Sequence, residues 1–253
     1  MSNLLINCLQ SIPDAAGEIP YNIIIVDNGS NPDEIKKYRE YGKAQFGDKL
    51  HILEQHRNTG FPAACNRGAR FGYSPLLFFL NDDVVLYPHS IDKLVRVMDD
   101  PTVGAVGMKL IFPKDSTYPR RPAGKVQHVG LSTNIKGEFI HNFVGWSPDN
   151  PRVLAVKESY AITGAALMTR KVLFKQAKGF NEEYGAGTYE DVEYCLVLHD
   201  MGYNIRIEQE AIGEHFVGAT ALDKQIQYPL HQNRELLLMH RGGKLNYTEW
   251  EIW

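Results

Sequence analysis

The apolar run at residues 76–80 (LLFFL) constrains the fold more than any other feature, because it ends abruptly in Asn81, Asp82 and Asp83. A short apolar segment of this kind is typical of a buried central strand. Open α/β sheets bind ligands at the carboxyl ends of their strands, which is where the two carboxylates would lie. Adjacent carboxylates repel each other unless a cation or a cationic ligand joins them. The segment therefore predicts a ligand site at one edge of a sheet.

A second predicted strand, residues 22–26 (NIIIV), ends in a similar polar turn that begins with Asp27 and Asn28. Strand and helix patterns alternate along the first 110 residues, which indicates an α/β domain with a mostly parallel central sheet flanked by helices. Residues 113–153 interrupt this alternation with five prolines and are predicted to form long loops with one hairpin near Gly137. Loops of this length tend to be functional or disordered.

The chain starts in a predicted helix, since the apolar residues between positions 4 and 12 have helical spacing. A strand–helix–strand unit would place a strand ahead of this helix. Two explanations stay open: a truncated start, or a sheet that lacks one central strand. We therefore expect an α/β fold without its usual first strand.

Length, net charge and cysteine content limit the classes of protein to which this chain could belong. A chain of 253 residues fits one large α/β domain, and a net charge of −3 argues against a nucleic-acid partner. The three cysteines lie far apart, form no metal-type spacing and favour a reducing compartment. No transmembrane segment or signal peptide is predicted, so the expected location is cytoplasmic. Peripheral contact with the inner face of a membrane stays open.

Six short motifs follow one another along the chain: 26–30 (VDNGS), 58–68 (NTGFPAACNRG), 80–84 (LNDDV), 163–166 (TGAA), 179–182 (GFNE) and 190–193 (EDVE). Together they resemble the inverting, GT-A-fold glycosyltransferases of family two, especially the rhamnosyltransferase-like branch. The resemblance covers roughly residues 4–240. It implies a single GT-A domain with a nucleotide-binding half at 1–110, an acceptor and donor-sugar half at 111–240, and a C-terminal tail at 241–253.

The resemblance also implies an activity, namely transfer of a sugar from a nucleotide-diphosphate donor to a hydroxyl acceptor with inversion. The acceptor would be a saccharide or lipid-linked saccharide in polysaccharide biosynthesis, and the metal Mn²⁺ or Mg²⁺. The alternative is a catalytically inactive sugar- or nucleotide-binding module, because the missing first strand normally supplies part of the nucleotide pocket. Dehydrogenases are excluded because no G-x-G-x-x-G follows a strand. Sugar-nucleotide pyrophosphorylases need a glycine-rich phosphate loop with a nearby arginine, which is not visible.

The nucleotide end of the site is predicted from the first two strands. Asp27 could accept a hydrogen bond from a pyrimidine ring N–H, or it could cap the turn that follows it. The glycines and small residues of segment 58–68 would allow the backbone to approach a ribose or diphosphate, although tight helix–sheet packing explains them equally well. The predicted nucleotide-binding residues are Asp27, Asn28, Asn58, Gly60, Asn66 and Asp82.

The predicted metal end is the acidic turn. An oxygen-preferring divalent cation takes one or two carboxylates together with phosphate oxygens. The family pattern is Asp-x-Asp, but Asn81 occupies its first position here. The resemblance assigns metal contact to Asp83 and places Asp82 nearer the ribose. His215 could complete the metal's coordination shell as a neutral imidazole. The alternatives are a solvated turn for the acids and a local hydrogen bond for His215.

The catalytic base is predicted at the start of a helix near residue 190. Inverting transfer needs a carboxylate that takes the proton of the acceptor hydroxyl, and Glu190 and Asp191 are the candidates. The family motif favours Asp191 over Glu190. Acids in a first helical turn also complement the helix dipole, which is the structural alternative. By resemblance, Thr163, Gly164 and Ala165 would line the donor-sugar pocket.

Overall fold

The computed structural model describes residues 2–116, 121–134, 137–216 and 228–242. The helices within these ranges are α1 Ser2–Ala16, α2 Pro32–Phe46, α3 Phe61–Phe71, α4 Ser90–Val97, α5 Pro151–Leu154, α6 Lys171–Gln176, α7 Glu190–Asp200 and α8 Leu230–His240. Their strands are β1 Ile23–Asn28, β2 Leu50–Gln55, β3 Leu76–Leu80, β4 Val84–Leu86, β5 Val103–Ile111, β6 Val126–His128, β7 Leu131–Thr133, β8 Phe139–His141, β9 Ala166–Arg170 and β10 Asn204–His215. Helices and strands alternate along the first half, which confirms the α/β class.

The central sheet is mixed, not mostly parallel as predicted. Its order is β3-β9-β5-β10-β4, with β6 paired to β5. β5 and β10 are parallel, whereas β9 is antiparallel to both β3 and β5. β9 returns from the long segment that follows β5 and inserts between β3 and β5, so it runs against them. Sequence periodicity reports burial but not strand direction, which explains the error.

The strands β1 and β2 form a separate parallel pair, in register from Ile23 opposite Leu50 to Asn28 opposite Gln55. Within the described residues, no strand precedes α1 and none pairs with the other edge of β1. The lack of a first strand stays a prediction, because α1 begins at the first described residue. The helix α1 extends beyond the apolar residues that predicted it and contains Pro13.

Two apolar clusters hold these elements together. One packs α1 and α4 against one face of the sheet, and it includes Leu9, Leu94 and Met108. The other packs α3, α6 and α7 against the opposite face, and it includes Phe79 and Leu198. Helices therefore cover both faces, so β5 can be buried along all nine of its residues.

The long segment after β5 contains more structure than the sequence suggested. The predicted hairpin is present, because β7 and β8 pair antiparallel around a turn in which the Gly137 amide donates to the Asn134 carbonyl. The strand β6 also adds to β5 and carries Gln127 and His128 toward the acidic turn. No helix in the described part of the chain is long and apolar enough to cross a membrane.

Candidate active site

The acidic turn lies at the carboxyl end of β3, as predicted. The amide of Asn81 donates to the Ala165 carbonyl at 2.9 Å, and the Val84 amide donates back to the Asn81 carbonyl at 3.3 Å. The Phe216 amide bonds to the backbone oxygen of Asp83 at 2.9 Å. The turn is therefore fixed on both sides, and the side chain of Asp83 is buried with only 5% of its surface exposed. Asp83 therefore does not lie in a solvated turn, which was the alternative interpretation of the two acids.

His215 lies against Asp83. It is the last residue of β10, not a residue beyond the strand, and its Nε2 is 3.1 Å from Asp83 Oδ1. Its Nδ1 lies 3.1 Å from Gln127 Oε1, so the tautomer with its proton on Nδ1 donates to that oxygen and leaves Nε2 with a lone pair. Nε2 faces a buried carboxylate oxygen that receives no hydrogen bond from the described residues.

In that tautomer, Nε2 and Asp83 Oδ1 lie at a distance that suits two adjacent ligands of one divalent cation. A histidine that ligates a metal commonly donates its other ring N–H to an oxygen acceptor, as His215 does to Gln127. Mn²⁺ and Mg²⁺ both accept carboxylate oxygens and imidazole nitrogen. No cluster of three or more His, Cys, Asp or Glu side chains suited to a metal occurs within the described ranges. Diphosphate oxygens and water would therefore complete the shell.

The turn after β1 is held by hydrogen bonds between its own residues. Asp27 Oδ1 accepts hydrogen bonds from the amides of Gly29 at 3.1 Å and Ser30 at 3.0 Å, so Asp27 caps this turn. The alternative reading of Asp27 is thus realised in the structure. Burial raises the pKa of the Tyr38 phenol, and the charge of the nearby Asp27 carboxylate raises it further.

Asn28 connects the β1 turn with the loop ahead of α3. Its Nδ2 donates to Asn58 Oδ1 at 2.9 Å and to the Gly60 carbonyl at 3.2 Å. Its Oδ1 accepts from the amide of Thr59 at 2.8 Å. Three of the predicted nucleotide-binding residues therefore form one hydrogen-bonded surface at the carboxyl edge of β1 and β2.

Gly60 allows this loop to approach the segment that precedes α7. Its φ is +89°, and a Cβ at this position would collide with the carbonyl oxygen of Gly185. The next amide, of Phe61, bonds to the carbonyl of Ala186 at 3.5 Å. Gly60 thus joins the nucleotide end of the site to the helix that carries the predicted base.

Asn66 has a structural role that the sequence reading did not anticipate. Its Oδ1 accepts from the Phe180 amide at 2.9 Å, and its Nδ2 donates to the Phe180 carbonyl at 2.8 Å and to Glu182 Oε1 at 2.9 Å. The side chain is buried and holds the 179–182 turn against α3. These bonds use both of its N–H donors and one lone pair of Oδ1, so its nucleotide role stays a prediction beside this structural role.

Residues Thr163, Gly164 and Ala165 connect the acidic turn to the predicted base. The Ala165 carbonyl accepts from Asn81, and the Gly164 amide donates to Asp191 Oδ2 at 2.8 Å. The Thr163 amide lies 3.4 Å from His128 Nε2. The segment predicted to line the donor-sugar pocket therefore lies between the two acidic groups.

Glu190 and Asp191 begin α7 directly after two residues, Thr188 and Tyr189, whose φ angles are +81° and +72°. Positive φ at non-glycine residues is costly and concentrates at functional sites. Burial and the Asp191 charge raise the pKa of Glu190 well above its ordinary value. Burial also raises the pKa of Asp191, while amides of Gly164 and Val192 oppose this rise. Two ionised carboxylates are therefore unfavourable here, and the pair favours a state with one proton.

Part of the candidate site borders a cavity. This cavity of about 1120 Å³ is lined at the strand ends by Asp27, Asn28, Asn58, Asp82, Ala186 and Tyr228. Burial raises the pKa of the Tyr228 phenol, and the charges of Asp83, Glu190 and Asp82 raise it further. The acidic turn and Asp191 are joined through segment 163–165, because the Asn81 amide donates to the Ala165 carbonyl and the Gly164 amide donates to Asp191 Oδ2.

Sequence reasoning missed Gln127, His128 and Tyr228. His128 is buried, its Nε2 accepts from the Gly130 amide at 3.2 Å, and its Nδ1 lies 2.8 Å from His141 Nδ1. Gln127 and His128 lie on a three-residue strand inside the proline-rich segment, where no periodic pattern marked them. The adjacent polar pair between apolar residues at 126 and 129 was the available signal.

Known proteins resemble this chain in sequence and in fold. The chain is 30% identical over 194 residues to the O-antigen biosynthesis protein RfbC of Myxococcus xanthus, a match that covers 73% of this chain and 14% of RfbC. It is 24% identical over 263 residues to an N-acetylglucosaminyl-diphospho-decaprenol L-rhamnosyltransferase of Mycobacterium tuberculosis, covering 94% of this chain and 81% of that protein. This chain therefore spans only a small part of the length of RfbC.

Among solved structures, the mannosyltransferase PcManGT of Pyrobaculum calidifontis, in complex with GDP-Man and Mn²⁺, is similar with a TM-score of 0.64. The identity is 15%, and the match covers 97% of this chain and 62% of that one. This likeness confirms the GT-A fold that the motifs predicted. The model of the family "Glycosyl transferase family 2" matches residues 2–175, more than half of the chain. The chain therefore belongs to glycosyl transferase family 2.

Proposed function

We propose that the protein transfers a sugar from a nucleoside-diphosphate donor to a hydroxyl acceptor with inversion at the anomeric carbon. The observation that carries the proposal is the link between the buried Asp83–His215 pair and Asp191 through segment 163–165, whose backbone bonds to Asn81 on one side and to Asp191 on the other. The pair suits a cation that neutralises a diphosphate, and Asp191 suits proton transfer. Both contributions lower the barrier to inverting transfer, one at the leaving diphosphate and the other at the acceptor hydroxyl.

The nucleotide would lie along the surface formed by Asp27, Asn28 and Asn58, with Asp82 toward the ribose. Asp27 uses Oδ1 to cap its turn, which leaves Oδ2 for a base N–H. The backbone of Gly60 would be close to the ribose or diphosphate, because no side chain intervenes there. The donor sugar would rest on Thr163, Gly164 and Ala165, between the diphosphate and the base.

Asp83 and His215 would hold Mn²⁺ or Mg²⁺, which supplies positive charge to the leaving diphosphate. Gln127 orients the imidazole so that Nε2 remains unprotonated toward the ion. Asn81, in the first position of the acidic motif, bonds to Ala165 through its backbone and holds the turn in place.

Asp191 would act as the base. Its Oδ1 and Oδ2 each accept one backbone amide, from Val192 and Gly164 at 2.8 Å, which fixes the carboxylate and leaves further lone pairs for an acceptor hydroxyl. A base is most effective when its pKa lies near the operating pH. Burial next to Glu190 raises the pKa of Asp191 in that direction, against the effect of the helix dipole.

The acceptor is proposed to be a saccharide or a lipid-linked saccharide in polysaccharide biosynthesis. The support is the named roles of two relatives, O-antigen biosynthesis for RfbC and a decaprenol-linked substrate for the rhamnosyltransferase. A lipid-linked acceptor would bring the protein to a membrane surface as a peripheral partner. The site would then act at the inner face of the membrane.

The experiment is a thermal-shift panel of UDP-, dTDP- and GDP-sugars, each with and without Mn²⁺, followed by an assay of nucleoside-diphosphate release. We expect one donor class to raise the melting temperature only when Mn²⁺ is present. Asp83→Asn should abolish that shift, whereas the exposed Asp99→Asn should retain it. If no donor in the panel binds, or if binding ignores Mn²⁺, the proposal is wrong.

A second candidate, binding without turnover, has its own support. The free edge of β1 faces a cavity next to Asp27, so one wall of the nucleotide pocket is open in the described residues. Donor binding without release of nucleoside diphosphate, to water or to any saccharide acceptor tested, would favour this candidate. Release that depends on Asp191 would favour the enzyme.

A further inference from the structure

Asn233, in the first turn of α8, is a buried polar residue that has no part in the predicted site. Only 4% of its surface is exposed. Its Nδ2 lies within hydrogen-bond distance of four oxygens in the segment ahead of α7. They are the carbonyl oxygens of Tyr184 at 3.2 Å, Gly187 at 2.9 Å and Thr188 at 3.1 Å, and Thr188 Oγ1 at 3.1 Å. One side-chain amide therefore joins α8 to the residues that lead into the predicted base.

These hydrogen bonds satisfy backbone groups that water does not reach freely. The amide of Asn233 has two N–H groups, so the four oxygens share them in bifurcated bonds. Gly187 is buried, and a buried carbonyl group without a donor is costly. The loss of the Asn233 amide would therefore leave the Gly187 carbonyl in an unfavourable state and would favour a rearrangement of the segment.

The segment that Asn233 contacts has a strained backbone. The φ angles are +125° at Gly187, +81° at Thr188 and +72° at Tyr189. Residues other than glycine rarely adopt such angles and keep them only where surrounding contacts hold them in place. Asn233 supplies contacts of this kind, to the carbonyl and the hydroxyl of Thr188 and to the residue before it.

The other side of Thr188 faces the predicted base. The amides of Thr188 and of Glu190 itself are hydrogen-bonded to the Glu190 carboxylate, and these bonds oppose the rise in its pKa that burial and Asp191 cause. A Cβ at Gly187 would lie 3.9 Å from both oxygens of the same carboxylate, so the segment runs close beside it. Thr188 therefore connects Asn233, through its carbonyl and hydroxyl oxygens, with the two acids, through its amide.

The helix α8 has attachments that do not involve Asn233. Leu237, four residues later, is fully buried in the apolar cluster that packs α3, α6 and α7 on the sheet. At the end of α8, Arg241 Nη2 lies 2.9 Å from Asp200 Oδ1, at the end of α7. The helix can therefore stay in place without the Asn233 amide, whereas the strained segment would lose a partner.

We propose that Asn233 is a positioning residue for the catalytic base. It holds Thr188 in its strained conformation, and Thr188 thereby fixes Glu190 and Asp191 in the orientation that the structure shows. This role rests on the proposed function, since it assigns proton transfer to the two acids. Asn233 acts through Thr188 and is not itself a catalytic residue.

The first measurement needs no ligand. Hydrogen–deuterium exchange of residues 184–191 is compared in the parent protein, Asn233→Leu, Asn233→Ala and the control Arg241→Leu. Leucine has nearly the shape of asparagine without its donors. The control removes the ion pair with Asp200, so it loosens α8 without touching Thr188. We expect both Asn233 variants to speed exchange of the Thr188 and Glu190 amides about tenfold or more, and the control to leave it unchanged.

The second measurement separates positioning from a merely structural role. It follows nucleoside-diphosphate release from the UDP-, dTDP- or GDP-sugar that the thermal-shift panel identifies as the donor. We expect the Asn233 variants to lower kcat about tenfold or more and to leave the donor KM within about twofold, because a displaced base slows the chemical step without changing donor contacts. Arg241→Leu should change neither constant.

The proposal is overturned if a folded Asn233 variant exchanges these amides at the parent rate, or if it retains the parent kcat. Equal effects of Asn233→Leu and Arg241→Leu would also overturn it, since Asn233 would then only anchor α8. Asn233→Ala decides the result if the leucine variant does not fold, and failure of both to fold would make Asn233 a structural residue. A parent protein that releases no nucleoside diphosphate refutes the proposed function instead, and amide exchange alone then decides whether Asn233 holds Thr188.

Discussion

His215 Nε2 lies 3.1 Å from Asp83 Oδ1, and both side chains are buried. This contact joins the end of β10 to the turn after β3, across a sheet whose order separates the two strands. His215 is also oriented by Gln127, whose Oε1 lies 3.1 Å from the other ring nitrogen, Nδ1. With the proton on Nδ1, the Nε2 lone pair and the Asp83 carboxylate would suit a shared cation.

Gln127 should therefore control metal affinity without touching the metal. We expect Gln127→Leu to weaken Mn²⁺ binding by about 10- to 100-fold, the usual effect of removing a partner of a metal-ligating histidine. Isothermal titration of Mn²⁺ in the presence of a nucleoside diphosphate measures this. Gln209→Leu is the matched control, since Gln209 is also buried but bonds to the Val156 carbonyl away from the cleft. Equal Mn²⁺ affinity in both variants would contradict the assignment.

We expect Glu190 and Asp191, the two acids at the start of α7, to contribute unequally to turnover. We expect Asp191→Asn to lower the turnover rate about 10²- to 10⁴-fold, the contribution of a general base, and to leave donor affinity nearly unchanged. Glu190→Gln should retain more activity, because the raised pKa of Glu190 already favours its neutral form. Steady-state rates of nucleoside-diphosphate release test both variants. A Glu190→Gln protein less active than Asp191→Asn would reverse the assignment.

The same raised pKa predicts how stability depends on pH. The folded protein holds the Glu190 proton more tightly than the unfolded chain, whose Glu pKa is about 4.3. The stability from this group is therefore complete below about pH 4.3 and is lost as pH rises toward the folded pKa. Glu190→Gln should remove that decline, as measured by urea unfolding between pH 4 and 8. A decline of unchanged slope would show that Glu190 is not its source.

The sequence predicted the elements of the fold better than their directions. β3 has the predicted bounds, because its apolar pattern is bordered by Pro75 and Asn81. The direction of β9 could not be predicted, since it depends on how a segment of more than 50 residues returns to the sheet. The acidic turn was visible in the sequence because its two acids follow a continuous apolar run.

In the candidate site, too, some features could be predicted from the sequence and others could not. Asp83 and His215 were predicted from residue type and motif, but Gln127, which orients the imidazole, lies 88 positions from it. The structural role of Asn66 was missed for a related reason: its partners are the backbone of Phe180 and the Glu182 side chain, more than 110 positions away. A motif shows which residue type a position requires. Only the packing shows whether that side chain contacts a ligand or another part of the protein.

Gly60 should be intolerant of any side chain. Its φ of +89° is strained for other residues, at a cost of about 1–3 kcal/mol, and a Cβ would collide with Gly185. We expect Gly60→Ala to lose more unfolding free energy than Gly202→Ala, which has a similar φ of +84° but open space around its Cβ. Urea denaturation compares the two. Equal losses would mean that the contact between the Gly60 loop and the α7 approach is not tight.

The paired histidines beside the donor-sugar segment should make the protein sensitive to acid. His128 Nε2 accepts from the Gly130 amide, so its proton is on Nδ1 and is donated to His141 Nδ1 at 2.8 Å. This bond needs both rings neutral, and burial together with His141 lowers the pKa of His128 well below its usual value. The unfolded chain takes up the proton near pH 6.5, so stability is complete above that pH and is lost as pH falls toward the folded pKa. His128→Gln should flatten this loss between pH 6.5 and 4.5, whereas the exposed His56→Gln should not. Unfolding curves with the same acid slope in all three proteins would show that the pair is not the acid-labile element.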